Sequence, residues 1–78
     1  MTHFYIYEIQ TMQDGTSASL THHLEDEDPM EAMLKAESAY HQVLAAAAIS
    51  GLPAHAAIMV RADGTPVQNK CYTHSQEA

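Results

Sequence analysis

Residues 3–12 read His3-Phe-Tyr-Ile-Tyr-Glu-Ile-Gln-Thr-Met12, a run of aromatic and β-branched residues that favours a β-strand. Successive side chains of a strand point to opposite faces. One face of this strand then carries Tyr5, Tyr7 and Ile9, and the other carries Phe4 and Ile6. Because both faces are apolar near its start, we interpret the run as a central strand that a helix covers on one side.

A hairpin is predicted to follow. Asp14-Gly15 is a turn sequence, since glycine adopts positive φ without steric cost. The second strand, about Ser17 to Leu24, contains mostly small and polar residues, which are typical of the edge of a sheet.

A helix is predicted to begin after the acidic run Glu25–Asp28. Asp28 is the N-cap, Pro29 occupies the first helical position and Glu31 the capping-box position. Good helix formers continue up to Gly51, a typical residue just beyond a helix C-terminus. The helix has about 22 residues and is roughly 33 Å long.

The remaining residues predict a second hairpin. Strands over Ala54 to Ala62 and Val67 to Thr73 flank the turn Asp63-Gly64, and the tail Ser75–Ala78 is expected to fray. We therefore expect one α+β domain over residues 1–78, with the element order ββαββ. A four-stranded antiparallel sheet, order 2-1-3-4, carries one long helix on one face. In the alternative, the fourth strand is a loop and the sheet has three strands.

The helix presents an apolar stripe to the sheet. On a 100° wheel, its centre contains Met33, Tyr40, Leu44 and Ala47, flanked by Met30, Leu34, Ala36, Val43 and Ala48.

A polar pair, Glu37 and His41, interrupts this stripe at i,i+4 spacing. A carboxylate beside an imidazole can set its tautomer and raise its basicity, which is half of a general-base unit or of a metal site. The alternative is a local pair whose long Glu side chain reaches water. Two residues define no reaction, so we expect the structural role.

Composition narrows the class of partner. The 78 residues include ten acidic and three basic ones, for a net charge of −7. Nucleic-acid binding depends on Lys and Arg, so nucleic acid is an improbable partner, and so is an anionic membrane surface. Protein partners and self-association remain.

The chain also carries little that indicates secretion. A lone Cys71 cannot form an intrachain disulfide, and Glu8 interrupts what would be the apolar part of a signal peptide. The longest apolar run, Val43 to Ile49, is far shorter than the ~20 residues of a membrane span. We expect a cytoplasmic protein.

Six histidines raise the question of a metal. They are scattered, and His22-His23 in a strand directs its rings to opposite faces, so we predict no metal and no cofactor. If a metal does bind, Cys71 with His74 or His55 is the first place to look. Catalysis by Cys71 is not expected, because no family signature accompanies it.

The acidic residues before and within the first helical turn have two interpretations. Clustered carboxylates, Glu25 to Asp28 with Glu31, can mimic nucleic acid in a basic groove. They can also stabilise the positive end of the helix dipole and keep the chain soluble, which is the interpretation we favour.

The sheet face away from the helix has no cover within the chain. If Phe4 and Ile6 meet the helix, an aromatic patch of Tyr5, Tyr7 and Ile9 is exposed. Such a patch on a small domain marks an interface, here of a homodimer. In the alternative, the tyrosines tile a wet sheet face with their hydroxyls in water.

Three short segments carry a resemblance: Phe4-Tyr-Ile-Tyr-Glu-Ile-Gln, Ala39-Tyr-His-Gln and Lys70-Cys-Tyr-Thr-His. In these the chain resembles a family of small uncharacterised bacterial and phage-associated open reading frames. The resemblance implies no activity and no site, and it favours an accessory protein of a mobile element.

Taken together, these features predict a non-enzymatic protein-interaction module that self-associates through the uncovered sheet face. The alternative is a protein that binds a small ligand or metal with Glu37 and His41.

Overall fold

Four strands and one helix make up residues 1–75, the part of the chain that the computed structural model describes. The elements are β1 (Thr2–Thr11), β2 (Ser17–Asp26), α1 (Pro29–Ile49), β3 (Ala54–Arg61) and β4 (Pro66–Thr73). The strands form one antiparallel sheet in the order β2-β1-β3-β4, and α1 packs on it. The predicted ββαββ fold is confirmed, and the three-stranded alternative is wrong. The end of the predicted frayed tail, residues 76–78, lies outside the described residues.

The two hairpins close with the same turn. In the first, the N–H of Gly15 donates to the carbonyl of Met12 at 2.9 Å, and Asp14 Oδ1 accepts from the N–H of Thr16 at 2.9 Å. The second repeats this with Gly64 bonded to Arg61 and Asp63 to Thr65. Both glycines have a φ near +90°, at +88° and +87°, which a residue with a Cβ rarely adopts. The first Asp-Gly turn sets the register of β1 and β2, whereas a bulge between Met59 and Val60 shifts the register of β3 and β4 by one residue beyond the second turn.

The second strand is longer than predicted. It continues past Leu24 to Asp26, so Glu25 and Asp26 belong to the sheet and not to an approach to the helix. Glu25 pairs with His3 of β1 and Asp26 pairs with Thr2. The acidic run is therefore divided, because alternate strand residues point to opposite faces.

Asp28 caps the helix as predicted, but the capping box is not formed. Its side chain accepts a hydrogen bond from the N–H of Met30 at 3.0 Å. The Asp28 N–H donates to Oδ1 of Asp26 at 2.9 Å, and not to the side chain of Glu31. The extension of β2 to Asp26 places this carboxylate close enough to replace Glu31.

The apolar stripe of α1 is rotated relative to the wheel. Its buried residues are Ala32, Ala36, Tyr40, Val43 and Ala47. Met33 and Leu44 are only partly buried, while Met30 and Leu34 are 67% and 54% exposed. The centre predicted at Met33 and Leu44 is therefore wrong. A hydrophobicity-weighted wheel underrates alanine, whereas small side chains let the helix backbone approach the sheet closely.

The core lies between this stripe and the alternate residues of the two central strands. Phe4 and Ile6 of β1 and Ala57 and Met59 of β3 are each at most 3% exposed. Within the described residues, no helix is long and apolar enough to cross a bilayer.

Candidate functional site

The sheet face away from α1, called the open face below, carries the three residues predicted for an interface. Because Phe4 and Ile6 are buried beneath the helix, Tyr5, Tyr7 and Ile9 point to the other side. Tyr7 and Ile9 are 36% and 38% exposed. The structure thus resolves which face of β1 meets the helix.

Other strands extend the open face on both sides of β1. The register places there His23, Thr21 and Ser19 of β2, Val60, Ile58 and Ala56 of β3, and Asn69 and Cys71 of β4. Among the described strand residues on this face, Glu25 at one corner is the one side chain that is charged when the histidines are neutral. The remaining charged strand residues lie on the helix side or its rims. The open face thus has aromatic and aliphatic residues on its two central strands, mostly uncharged polar residues on its edge strands, and very little charge.

One corner of the open face holds a cluster of three potential metal ligands, called the corner cluster below. His3 Nδ1 lies 2.9 Å from His23 Nε2. Both nitrogens approach Glu25 Oε2, at 3.2 Å for His3 and 3.7 Å for His23. Among residues 1–75 this is the group of His, Cys, Asp and Glu side chains whose ligand atoms converge to within 4.8 Å of one another.

The corner cluster is ordered by ring stacking. The ring of Tyr5 stacks on His23 with centroids 4.7 Å apart and planes inclined by 6°. His3 stacks on the same imidazole at 5.1 Å and 15°. The three rings therefore form a row along the β1–β2 hairpin, which restricts the side-chain rotamers of both histidines.

This cluster was not predicted from the sequence, in which the six histidines are scattered. The signal was the hairpin register. His3 and Glu25 lie equally far before and after Asp14, and so do Tyr5 and His23, and each pair is directly opposite in the sheet. Because β2 was predicted to end at Leu24, Glu25 lay outside the strand, and its pairing with His3 was not predicted.

A second carboxylate–histidine group lies beneath the helix and is called the inner cluster. Glu8 Oε1 is 3.0 Å from His22 Nε2 of β2, and Glu8 Oε2 is 2.7 Å from His55 Nε2 of β3. Gln10 donates to Glu8 Oε2 at 3.2 Å. One carboxylate of β1 thus connects both neighbouring strands.

The protonation of Glu8 follows from these contacts. Burial is the largest single influence and raises its pKa, but the hydrogen bonds from His22 and His55, with the charge of His55 and a bond from Gln10, together outweigh it. The pKa of Glu8 is therefore lowered from its ordinary value, and the group is ionised at neutral pH.

His55 contacts Glu8 through one ring nitrogen, Nε2, while the other is buried. It is 3% exposed, and its Nδ1 is buried with no hydrogen-bond partner among the described residues. An imidazole that is oriented by a carboxylate resembles a general base, but here the free nitrogen is shielded from solvent. The arrangement acts as a cross-link between strands and offers no substrate access.

The predicted pair Glu37 and His41 is present as i,i+4 neighbours, with His41 Nε2 3.5 Å from Glu37 Oε2. Glu37 also accepts a hydrogen bond from Gln68 Nε2 of β4 at 3.0 Å. The His41 side chain is 67% exposed. The described part of the chain has three open cavities of about 310–460 Å³, and neither Glu37 nor His41 lines any of these three.

The other suggested ligands are not brought together. Cys71 is exposed on the open face, whereas His55 is buried on the helix side of the sheet. His74 Nε2 lies 3.0 Å from the carbonyl of Ala47 at the end of the helix. As predicted, His22 and His23 point to opposite faces, and each one joins a different cluster.

The acidic residues at the helix start have different roles, although several lie around Lys35: its hydrogen bond to Asp26, with the charges of Asp26, Glu31 and Glu25, raises the pKa of this lysine. Glu25 lies in the corner cluster, while Asp26 forms an ion pair with Lys35 at 2.9 Å. Asp28 caps the helix.

The fold and site define an α+β protein with one helix-covered face and one open, weakly charged face. No family model, curated protein or solved structure matches the chain.

Proposed function

We propose that this protein is a non-enzymatic interaction module that self-associates through the open face of its sheet, with a second copy of the chain as the occupant. The observation that supports this most directly is the exposure of Tyr7 and Ile9 on a face that nothing in residues 1–75 covers. Aromatic residues without nearby charge are typical of interface centres.

Charge favours this face over the others for self-association. Two copies, each with a net charge of −7, repel one another. The repulsion is smallest where carboxylates are farthest from the contact, and among the described strand residues the open face carries one carboxylate, Glu25 at its corner. The same face on both partners satisfies the two-fold symmetry that most homodimers adopt.

The size of the open face is also adequate. Four strands spaced ~4.8 Å apart and up to ~33 Å long cover roughly 600 Å², before the relief of the side chains is counted. Stable interfaces bury about 800 Å² on each partner. The open face alone can therefore supply most of a standard interface.

The test replaces an apolar side chain at the centre of the open face. Ile9→Lys is expected to weaken the dimer by tenfold or more, because burial of the 38% of Ile9 that is exposed contributes about 0.6–1.1 kcal/mol on each partner and the variant also places a charge in the contact. Sedimentation equilibrium over a range of protein concentrations measures the dissociation constant.

The matched control is Ile49→Lys, which makes the same substitution and charge change at a helix residue that is 86% exposed. It is expected to leave the dissociation constant unchanged. A wild-type chain that stays monomeric at high micromolar concentration would contradict the proposal, and so would equal effects of both variants.

The alternative function, a small-ligand or metal site at Glu37 and His41, has the Glu37–Gln68 contact in its favour. The exposure of His41 weighs against it. A cytoplasmic location and a role as an accessory protein of a mobile element remain predictions, which are based respectively on the lone Cys71 and on the resemblance.

A further inference from the structure

We propose that the corner cluster, His3, His23 and Glu25, binds a divalent transition-metal ion such as Zn²⁺. Two imidazoles and one carboxylate are a donor set that zinc uses when it keeps a fourth position open. All three ligands come from one chain, but they lie at a corner of the open face. The site and the proposed self-association are therefore compatible when the contact between copies leaves that corner exposed.

The spacing of the ligand atoms fits such an ion. Ligands at ~2.0–2.1 Å from a tetrahedral zinc are ~3.3 Å from one another. The separations here are 2.9 Å between the two imidazole nitrogens and 3.2 and 3.7 Å from these to Glu25 Oε2. These three atoms thus form a triangle close to one face of a zinc tetrahedron.

The three ligand atoms of the corner cluster share few protons among them, and a metal ion can replace those protons. His3 Nδ1 faces both His23 Nε2 and Glu25 Oε2. A neutral imidazole nitrogen carries at most one proton, so His3 Nδ1 can serve both neighbours only by sharing that proton between them in a bifurcated bond. A metal ion accepts a lone pair from all three atoms at once.

Access and charge also favour a cation. The side chains of His3, His23 and Glu25 are 32%, 43% and 49% exposed, so an ion can enter from solvent. The chain's net charge of −7 attracts cations. Imidazole donors select a transition metal over Mg²⁺ or Ca²⁺, which prefer oxygen.

The hairpin sets the backbone positions of the three ligand residues before an ion arrives. His3 is directly opposite Glu25, and His23 is directly opposite Tyr5, whose ring stacks on it. Binding requires the two nearly parallel imidazoles to turn about χ2, which is a soft torsion in histidine. The backbone needs no rearrangement.

The experiment titrates the metal-free full-length chain with Zn²⁺ alone by calorimetry at neutral pH. One zinc per chain is expected, with a higher melting temperature in the presence of zinc. Replacing both imidazoles, His3→Gln with His23→Gln, is expected to weaken zinc binding by more than about tenfold, since loss of a residue that merely orients a ligand already costs that much. Tetrahedral absorption bands of Co²⁺ in the wild type, lost in the double variant, would identify the geometry.

Two control variants make the outcome decisive. His41→Gln removes an exposed histidine from another surface and is expected to leave zinc affinity unchanged, and Ile9→Lys is expected to do the same whether or not the chain self-associates. Wild-type protein without a zinc heat or a melting shift would overturn the proposal. Undiminished affinity in a folded double variant would overturn it as well. Loss of affinity in His41→Gln would also overturn it, because it would show that zinc binds at Glu37 and His41 instead.

Discussion

Glu8 is the residue at which three strands meet. Its two carboxylate oxygens bond to His22 of β2 and His55 of β3. Hydrogen bonds to a charged partner contribute about 1.5–3 kcal/mol each, and a buried partner left unsatisfied is costly. The inner cluster therefore stabilises the sheet by linking β1 to both of its neighbours, β2 and β3.

We expect Glu8→Gln to lower the free energy of unfolding by about 1–3 kcal/mol at neutral pH, because the amide keeps one acceptor and loses the charge. Urea denaturation measures the change. The exposed Glu27→Gln variant removes one negative charge outside the strands and is expected to change stability by less than about 0.5 kcal/mol. Equal losses in both variants would mean that overall charge, and not the buried contact, is responsible.

The pKa of Glu8 also predicts a pH dependence. Since the folded pKa lies below the ordinary value of 4.5, the unfolded chain binds the proton more readily. The stabilising contribution is complete above pH 4.5 and is lost as the pH falls through the folded pKa. Below pH 4.5, the stability difference between the wild type and Glu8→Gln is expected to shrink. A difference that stays constant down to the acid unfolding transition would contradict this account.

At the scale of the elements, α1 depends on small side chains more than on large ones. Ala32, Ala36 and Ala47 have no exposed surface, whereas the larger Met30 and Leu34 lie mostly in solvent. A short distance between helix and sheet leaves no space for a longer side chain at these positions.

Ala36→Leu is therefore expected to destabilise the fold by about 1–3 kcal/mol, through overpacking. Thermal and urea unfolding followed by circular dichroism would measure it. Ala45→Leu makes the same change on the exposed side of α1 and is expected to be nearly neutral. If Ala36→Leu were neutral too, the helix would not pack as closely as the structure shows.

The hairpins are the elements that sequence analysis predicted best. Asp14-Gly15 and Asp63-Gly64 each define a turn by local chemistry, with a glycine at positive φ and an aspartate that bonds two residues ahead. The helix start at Asp28 and Pro29 was predictable for the same local reason. The end of β2 was not, because pairing with Thr2 and His3 decides it.

For the whole molecule, charge and self-association oppose each other. Acidic copies repel at long range, while the proposed contact between open faces is apolar. Raising the ionic strength from about 0.01 M to 0.15 M shortens the Debye length from ~30 Å to ~8 Å. We expect the dimer to become severalfold tighter over this range in sedimentation experiments. Weakening by salt would instead indicate a contact that depends on opposite charges.

The sequence by itself determined the element order, the two turns, the helix start and the division of β1 into two apolar faces, because all of these follow from backbone chemistry and from alternation along one segment. Only the tertiary structure decided that Phe4 and Ile6 meet the helix and that Tyr7 and Ile9 do not. It also brought His3, His23 and Glu25 together on one face, and Glu8, His22 and His55 on the other. Such contacts depend on strand register and on the close approach of α1, and residues distant along the chain set both.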